Sequence, residues 1–275
     1  MYLNLRGTLL SLQIPQIMGI LNVTSDSFYA ASRMQSEKAI LKRVERIQEE
    51  GASIVDIGAV STRPGSLPIT EAEEIEKITS SLALIFRHFP DIHVSVDTWR
   101  ANVAKASVEE GAAMINDISG GTFDENMIPM MKELKVPYCI THTSGEPEVM
   151  QERVQYNNMI SDIFQFFGRQ IEKCKEFGLN DILIDPGFGF GKTLDDNYLL
   201  LKNLSAFSSL QLTILIGISR KSMIYNLLDI TPTEALNGTS ALHIVALQQG
   251  ANILRVHDVK EANEVVKLYM QLQKS

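Results

Sequence analysis

The chain has 275 residues, of which 45% are hydrophobic, so it is long enough to bury a large core. Its formal net charge is −8 at pH 7 and no basic run stands out, which argues against a nucleic-acid-binding protein. No basic segment followed by a long apolar stretch opens the chain, and no apolar run approaches the length of a membrane span, so we expect a cytoplasmic protein without a membrane segment.

Short apolar runs that end in a polar residue recur along the chain and predict eight β-strands. The predicted strands are Gln16–Asn22, Ser53–Ile57, His93–Asp97, Met114–Asp117, Tyr138–His142, Ile182–Asp185, Thr213–Ser219 and Ile253–His257.

Segments with helical periodicity lie between these strands. The predicted helices are Ser36–Glu50, Thr70–Phe89, Ala101–Glu110, Gln155–Phe177, Asp195–Leu204, Glu234–Gln249 and Val259–Leu272. Thr70 and Glu73 have the spacing of a capping box at the start of the second helix. Gly51, Gly111 and Gly250 each follow a predicted helix in a similar short motif, where glycine can adopt the left-handed conformation before the next strand.

The regular alternation predicts a single α/β domain over residues 1–275, folded as a (β/α)8 TIM barrel. No linker rich in proline, glycine or serine divides the chain. A doubly wound open sheet is the alternative, but no G-x-G-x-x-G motif follows the first predicted strand.

In such a barrel the C-terminal ends of the strands meet at one mouth, where catalytic groups are expected. The polar residues at these ends are Asn22, Asp97, Asn116, Asp117, His142, Asp185, Ser219, Arg255 and His257. Each alone has a structural alternative: Asp97 would cap a helix, and Asn116 and Asp117 would form an Asx turn. Together they predict a polar cavity with both acids and cations.

The segment Asp185-Pro-Gly-Phe-Gly-Phe-Gly-Lys192 follows the apolar run Ile182–Ile184, so a buried strand ends in a carboxylate and opens into a glycine-rich loop. Three alternating glycines allow the backbone to approach a ligand closely. Phe188 and Phe190 lie between these glycines and are expected to offer a flat surface to an aromatic ring.

The polar strand ends suit a nitrogen heterocycle that carries a phosphorylated group. Asp97, Asp185 and Asn116 match the donor-rich edge of a heterocycle with a guanidine-like unit, because carboxylates accept paired N–H bonds. Cations follow the last two strands, at the usual phosphate corner of this barrel: Arg220, Lys221, Arg255 and His257. Arg220 has an alternative role as an anchor of its own loop.

No zinc motif, cysteine cluster or Walker A motif is present, which argues against a metal held tightly by protein ligands. A Mg²⁺ ion that bridges a diphosphate and one protein oxygen, such as that of Asn22, remains compatible with the sequence.

Eight motifs in order make the chain similar to the dihydropteroate synthase family over nearly its whole length. They are Met18–Phe28, Gly51–Gly58, Ser61–Gly65, Ser95–Thr98, Ile115–Gly120, Asp185–Lys192, Ser219–Lys221 and Arg255–Asp258. The resemblance implies a TIM barrel, usually a homodimer, that joins p-aminobenzoate to 6-hydroxymethyl-7,8-dihydropterin diphosphate. It also implies that Mg²⁺ aids diphosphate release and that sulfonamides inhibit the enzyme.

The resemblance assigns roles by motif. Pterin binding falls to Asp97, Asn116, Asp185, Phe190 and Lys221. The diphosphate falls to Asn22, Arg255 and His257, with Asn22 also at the Mg²⁺. The p-aminobenzoate pocket falls to Thr62, Arg63, Pro64 and Ser219. The catalytic residues are expected to be Asp97, Lys221 and Arg63.

The chain departs from the family pattern mainly in loops predicted to cover the site, at Ser25, Ala30-Ala31-Ser32, Ala59-Val60 and Thr143. These changes bear on loop closure more than on the type of reaction. Two alternatives stay open: a methyltetrahydrofolate-binding methyltransferase module that works with a corrinoid partner, and a non-catalytic pterin-binding paralogue.

Overall fold

The computed structural model describes residues 1–23, 30–60, 69–145, 156 and 158–274 of the chain. Within the helix that begins at residue 30, side chains are described from residue 36 onward.

Eight parallel strands close into a barrel, which confirms the predicted (β/α)8 architecture. The barrel strands are β3 (Gln16–Asn22), β4 (Ile54–Gly58), β5 (Val94–Asp97), β6 (Met114–Asp117), β7 (Tyr138–Thr141), β8 (Ile182–Asp185), β9 (Thr213–Ile216) and β10 (Ile253–Val256). Each strand pairs with its neighbour in chain order, and β10 pairs with β3 to complete the barrel. All eight predicted strands are therefore present in the structure.

Helices surround the barrel on its outer side. In the described ranges they are α1 (Ala30–Glu49), α2 (Glu71–His88), α3 (Ala101–Glu109), α4 (Met127–Leu134), α5 (Met159–Glu176), α6 (Leu194–Lys202), α7 (Ser222–Leu228), α8 (Leu236–Gln248) and α9 (Val259–Leu272), with a 3-10 helix at Leu204–Leu210. The seven predicted helices are present, whereas α4 and α7 were not predicted.

The predicted helix-end signals are confirmed where they can be compared. The Thr70 hydroxyl accepts from the backbone N–H of Glu73, and the Glu73 carboxylate accepts from the N–H of Thr70, so the capping box is complete. Gly51, Gly111 and Gly250 all have positive φ, at 93°, 122° and 97°. Because most side chains are strained there, glycine suits these exits into the strands.

A two-stranded hairpin that was not predicted precedes the barrel. Strands β1 (Tyr2–Leu5) and β2 (Thr8–Ser11) pair antiparallel around Arg6 and Gly7, both with positive φ. Leu3, Leu5 and Leu12 of this segment are buried with apolar residues from the starts of the barrel strands. The hairpin therefore fills the N-terminal end of the barrel, and the C-terminal end is left for a site.

The side-chain alternation of the strands decides which strand-end residues face the barrel interior. On β6, Met114 belongs to the inner apolar cluster and Ile115 to the cluster under the helices. Asn116 therefore points inward and Asp117 outward. By the same alternation, Asp97 and Asp185 also face the interior.

Candidate active site

The strand register brings the inward-facing polar residues together at the C-terminal mouth. Asp97 on β5 pairs with Asn116 on β6, and Asp185 on β8 pairs with Thr141 on β7. Asn116 and Asp185 are 3% and 6% exposed, so these polar groups are shielded from bulk water. The predicted convergence of acids and an amide at the mouth is therefore found.

Arg255 connects two carboxylates across the mouth. Its Nε donates to Asp56 Oδ2 at 2.5 Å, and its Nη2 donates to Asp97 Oδ2 at 2.6 Å. The Asp56 side chain is fully buried, while those of Asp97 and Arg255 are each 20% exposed. Because Asp97 binds this cation, its carboxylate takes part in the site. The first N–H of α3, that of Ala101, donates to Asp124 instead.

The pKa of Asp97 is raised to about 7: burial is the largest cause, the charge of Arg255 opposes the shift, and the charge of Asp56 adds to it. Burial also acts to lower the pKa of Arg255, but the two neighbouring carboxylates outweigh it and hold that pKa above its usual range. Arg255 is therefore a permanent cation, while Asp97 changes its charge near neutral pH.

Two acceptor atoms in this cluster remain without partners. Asn116 Nδ2 donates to Asp56 Oδ2 at 3.1 Å, yet Asp56 Oδ1 and Asn116 Oδ1 are buried and accept no hydrogen bond from any described residue. Buried polar atoms without partners are costly, so they indicate that a ligand or water donates to them.

The glycine-rich loop after β8 places backbone close to the mouth. Gly187, Gly189 and Gly191 have φ of 75°, 80° and 60°, which confirms that this loop needs glycine. The N–H of Gly187 donates to Asp185 Oδ1 at 2.8 Å, and a Cβ built on Gly187 would lie 1.8 Å from the His142 carbonyl oxygen. The loop and the Asp185 carboxylate are thus held in one arrangement.

The two phenylalanines of this loop differ. Phe188 is fully buried in the cluster under the helices, so the expectation that its ring faces a ligand is wrong. Phe190 is half-buried, and Lys221 Nζ lies 4.6 Å from the centre of its ring. The glycines with positive φ on either side of these residues break the alternation of a strand, so the two rings point in different directions and only that of Phe190 is available at the site.

Lys221 joins the loops after β8 and β9. Its Nζ donates to the carbonyl oxygen of Phe188. Burial lowers the pKa of Lys221 to about 8, although the charge of Asp185 opposes the shift. Burial raises the pKa of Asp185, and the charge of Lys221 is the largest opposing influence. The pair therefore supplies a cation and an acceptor on the side of the mouth opposite β4.

At the corner formed by β9 and β10, Ser219 Oγ accepts from the backbone N–H of His257 at 3.2 Å. Arg220 donates from Nε and Nη2 to the two oxygens of Asp258, at 2.7 and 2.9 Å, and from Nη1 to the carbonyls of Pro232 and Thr233. The alternative role of Arg220 as a loop anchor is therefore confirmed.

Asn22 and His257 line a cavity of about 580 Å³ that extends from the end of β3 toward α1 and α2. Asn22 is exposed at the end of its strand, and His257 is half-buried. The side chain of Arg43 on α1 donates to the carbonyl oxygens of Ile20 and His257, which fixes α1 against this edge of the barrel. Two of the three residues predicted at the diphosphate, Asn22 and His257, thus share one cavity, whereas Arg255 is not among its lining residues.

The chain is similar to known proteins over most of its length. Residues 18–257 match the family described as pterin binding enzyme. The chain is 39% identical to the dihydropteroate synthase of Escherichia coli K12, covering 96% of this chain and 93% of the relative. It is 38% identical to that of Haemophilus influenzae, with 94% of each chain covered. The chain belongs to the dihydropteroate synthase family.

Solved structures of the family have the same fold. A Yersinia pestis dihydropteroate synthase in a sulfonamide drug complex superposes with a TM-score of 0.93, at 39% identity and with 100% of each chain covered. A Xanthomonas albilineans dihydropteroate synthase with 4-aminobenzoic acid gives 0.91, at 32% identity, covering 100% of this chain and 98% of the other. The expected family and the expected barrel are both confirmed, and the protein is an enzyme.

Asp56 belongs to this cluster, although no functional role was predicted for it from the sequence. It lies within the Gly51–Gly58 motif that supports membership in the dihydropteroate synthase family, but its position in the middle of an apolar strand gave it no assigned role. The signal was present, because a carboxylate inside a buried strand needs a partner, and Arg255 supplies it.

Asp117 has a structural role. Its carboxylate accepts from the N–H and hydroxyl of Ser119, both at 2.7 Å, from the N–H of Gly121 at 2.8 Å and from the hydroxyl of Tyr138 at 2.6 Å. This is the Asx-turn alternative, and it fixes the loop that follows Asn116.

Thr62, Arg63 and Pro64, predicted at the p-aminobenzoate pocket of this dihydropteroate synthase family member, lie outside the described residues, as does Ser25. Over the described ranges, no group of three or more histidine, cysteine, aspartate or glutamate side chains has the arrangement of a metal site. Within the same ranges, no helix combines the length and apolar character needed to cross a membrane.

Proposed function

We propose that the protein condenses 6-hydroxymethyl-7,8-dihydropterin diphosphate with p-aminobenzoate to give 7,8-dihydropteroate and diphosphate. The observation that carries this proposal is the cluster of Asp56, Asp97, Asn116 and Asp185 at the barrel mouth, where buried acceptor atoms lack donors. Family membership supports the same reaction.

The pterin edge matches the acceptors of this cluster. The ring carries a guanidine-like unit with several N–H donors, and the carboxylate of Asp185 and the amide of Asn116 offer acceptors at a shared depth. Phe190 and Lys221, which lie against each other, are assigned to contact the ring of the ligand. Asp97 and Asp56 add negative charge on the opposite side, shared through Arg255.

In the reaction, the bond between the pterin methylene carbon and the diphosphate oxygen breaks, and the electron pair leaves with the diphosphate. The methylene carbon becomes electron-poor and is captured by the amine of p-aminobenzoate, which then releases a proton to solvent. The ionised Asp97 stabilises the positive charge that develops on the ring, so no strongly activated nucleophile is required.

Cations at the corner of β9 and β10 balance the leaving group. We assign Arg255, His257 and Asn22 to the diphosphate, because Asn22 and His257 line one cavity and Arg255 is the cation on β10, the strand that precedes His257. Asn22 fits a Mg²⁺ ion, since this cation takes oxygen ligands and is commonly held by few protein groups together with phosphates. When bound there, Mg²⁺ would neutralise charge on the departing diphosphate.

We assign the second substrate to Ser219 together with Thr62, Arg63 and Pro64. Ser219 is positioned by its hydrogen bond with His257, next to the proposed leaving-group site. One structural neighbour contains 4-aminobenzoic acid and another a sulfonamide drug, which supports a shared pocket for both in this chain. Sulfonamide inhibition is therefore part of the proposal.

We also propose that the protein is a homodimer. Helix α8 carries no charged residue along Leu236–Gln248, and Val245 on it is 36% exposed. On the neighbouring α9, Leu268 and Leu272 are 64% and 62% exposed. Light scattering of the purified protein tests this directly, and a monomer mass at micromolar concentration would refute it.

The decisive experiment measures diphosphate release with both substrates present, each substrate omitted in turn, and Asp185→Asn as the inactive control. We expect release that depends on both substrates. Pterin binding without release would indicate a non-catalytic paralogue. Binding of methyltetrahydrofolate without diphosphate chemistry would indicate a methyltransferase module.

A further inference from the structure

Lys192 ends the glycine-rich loop, and its ammonium group reaches back to the start of that loop. Nζ lies 3.0 Å from His142 Nδ1, 2.8 Å from the carbonyl oxygen of Gly187 and 3.3 Å from that of Phe190. The carbonyl oxygen of His142 is a fourth acceptor, at 3.5 Å. These acceptors together satisfy the three donors of an ammonium group. Because His142 follows β7 and the other two follow β8, Lys192 joins the ends of neighbouring strands.

Burial lowers the pKa of Lys192 to about 7, although the charge of Asp185 opposes the shift, so near neutral pH the group changes between ammonium and amine and donates hydrogen bonds in both forms. The histidine is suited to accept from it. Nδ1 accepts a hydrogen bond from an ammonium group only when that nitrogen carries no proton, so the imidazole is neutral with its proton on Nε2. Burial and then the charge of Lys192 lower the pKa of His142 to about 2, which keeps the ring neutral. The ring also packs edge-on against Phe166, with centroids 5.0 Å apart.

Gly187 is held from both sides in this arrangement. Its N–H donates to Asp185 Oδ1 at 2.8 Å, and its carbonyl oxygen accepts from Lys192 at the same distance. The peptide units around Gly187 therefore connect the Lys192 cation to the Asp185 carboxylate. The Phe190 carbonyl is held by the same cation, and the Phe190 ring lies against Lys221.

We propose that Lys192 and His142 are positioning residues for the pterin: they form a clasp across the ends of β7 and β8 that fixes the Asp185 carboxylate and the Phe190 ring. The clasp acts through Gly187 and the loop backbone. This inference rests on the proposed function, because its main consequence is a change in the affinity for the pterin.

The first test compares Lys192→Met with Lys202→Met. Lys202 is an exposed lysine at the end of α6, a short distance along the same segment, so it controls for the loss of a lysine. We expect Lys192→Met to weaken binding of the free hydroxymethyl pterin by about tenfold or more in calorimetry. The KM for p-aminobenzoate should change far less, and Lys202→Met should match the wild type in both.

The second test keeps Lys192 and changes its partner. The Oδ1 atom of asparagine can take the place of Nδ1, whereas leucine offers no acceptor, so His142→Asn and His142→Leu form a matched pair. We expect His142→Leu to lose pterin affinity to the same extent as Lys192→Met, and His142→Asn to recover most of it. Combining Lys192→Met with His142→Leu should add little to either change alone.

A third measurement needs no ligand. Hydrogen exchange of the Gly187 amide should accelerate in Lys192→Met and in His142→Leu, but not in Lys202→Met, because the clasp holds the peptide on both sides of this residue.

The outcomes separate this inference from the proposed function. Pterin binding by the wild type with undiminished affinity in Lys192→Met would overturn the clasp and leave the proposed function intact. Equal losses in His142→Asn and His142→Leu would overturn it as well. Absence of pterin binding by the folded wild type would overturn both. If Lys192→Met does not fold, the difference in pterin affinity between His142→Asn and His142→Leu tests the clasp on its own.

Discussion

Replacing Arg255 by methionine should destabilise the protein in a pH-dependent way. In the structure this guanidinium is the cation between Asp56, whose side chain is fully buried, and Asp97, which is 20% exposed. Methionine keeps the apolar stem but leaves the two carboxylates without their counter-charge. Removal of one partner from a buried ion pair costs about 3–5 kcal/mol, since the remaining charge stays desolvated.

Protonation of Asp97 limits this cost, and the sign follows from its pKa. The pKa of Asp97 is about 7 even with Arg255 present, and the charge of Arg255 acts to lower it, so the variant should have a still higher value. An acid whose pKa is raised by folding destabilises the folded state at high pH, and this penalty declines as the pH falls. The part of the variant's deficit that comes from the ionised Asp97 therefore applies above about pH 7 and is lost below it, while the part that comes from Asp56 remains.

The extra cost of keeping Asp97 ionised in the variant accumulates between about pH 7 and about pH 8.5. At about 1.4 kcal/mol per pH unit, this part of the deficit reaches about 2 kcal/mol at about pH 8.5. At about pH 8.5 we therefore expect the free energy of unfolding of Arg255→Met to be about 3–5 kcal/mol below that of the wild type. The deficit should be smaller by about 2 kcal/mol at pH 6.

Urea denaturation of the wild type and the variant at both pH values measures these deficits. Arg46→Met is the matched control, because Arg46 forms an ion pair with Glu50 at 2.6 Å while its own side chain is 62% exposed. The control should lose less than about 1 kcal/mol at either pH. A deficit for Arg255→Met that is the same at both pH values, or no larger than that of the control, would refute the reasoning.

Three further outcomes are expected. Asp185→Asn should stay folded yet lose about 1.5–3 kcal/mol of pterin binding in calorimetry, because a carboxylate that accepts N–H bonds from the ring becomes neutral, and unchanged affinity would contradict its assignment. Activity should require Mg²⁺ and disappear with EDTA while the Tm of the free protein changes little, since the described residues form no metal cluster; a large fall in Tm on chelation would contradict this. A sulfonamide should bind far more tightly with pterin, Mg²⁺ and diphosphate present than to protein alone, and equal affinities in a titration would indicate a pre-formed pocket.

The barrel could be predicted because each strand is an apolar run that ends in a polar residue, and each helix has its own periodicity and end signals. The elements that were missed lack such signals. Helix α4 has only eight residues and contains Pro129, and α7 has seven. The N-terminal hairpin depends on Leu3 and Leu5 filling the barrel interior, and that cavity exists only once the barrel is closed.

Which strand-end residues enter the site was harder to predict. Parallel barrel strands are buried on both faces, so the apolar residues before Asn116 and Asp117 do not show which of the two points inward. The structure decides this through the contacts of Met114 and Ile115. Phe188 was wrongly expected at the site for another reason: the glycines on either side of it have positive φ, so the direction of its ring does not follow from the sequence pattern.

The charges at the mouth indicate why such a site would favour the proposed transition state. Asp56 and Asp97 share the single guanidinium of Arg255, so this pair of ionised carboxylates has an excess of negative charge in a buried space. That excess raises the pKa of Asp97 through Asp56, as well as through burial. A neutral ring does little to offset this excess of negative charge, whereas a ring that becomes positive as diphosphate departs interacts favourably with the ionised Asp97. Because the benefit grows as the charge develops, we infer that the buried Asp56, although it need not contact the reacting carbon, contributes to stabilising the transition state more than the ground state.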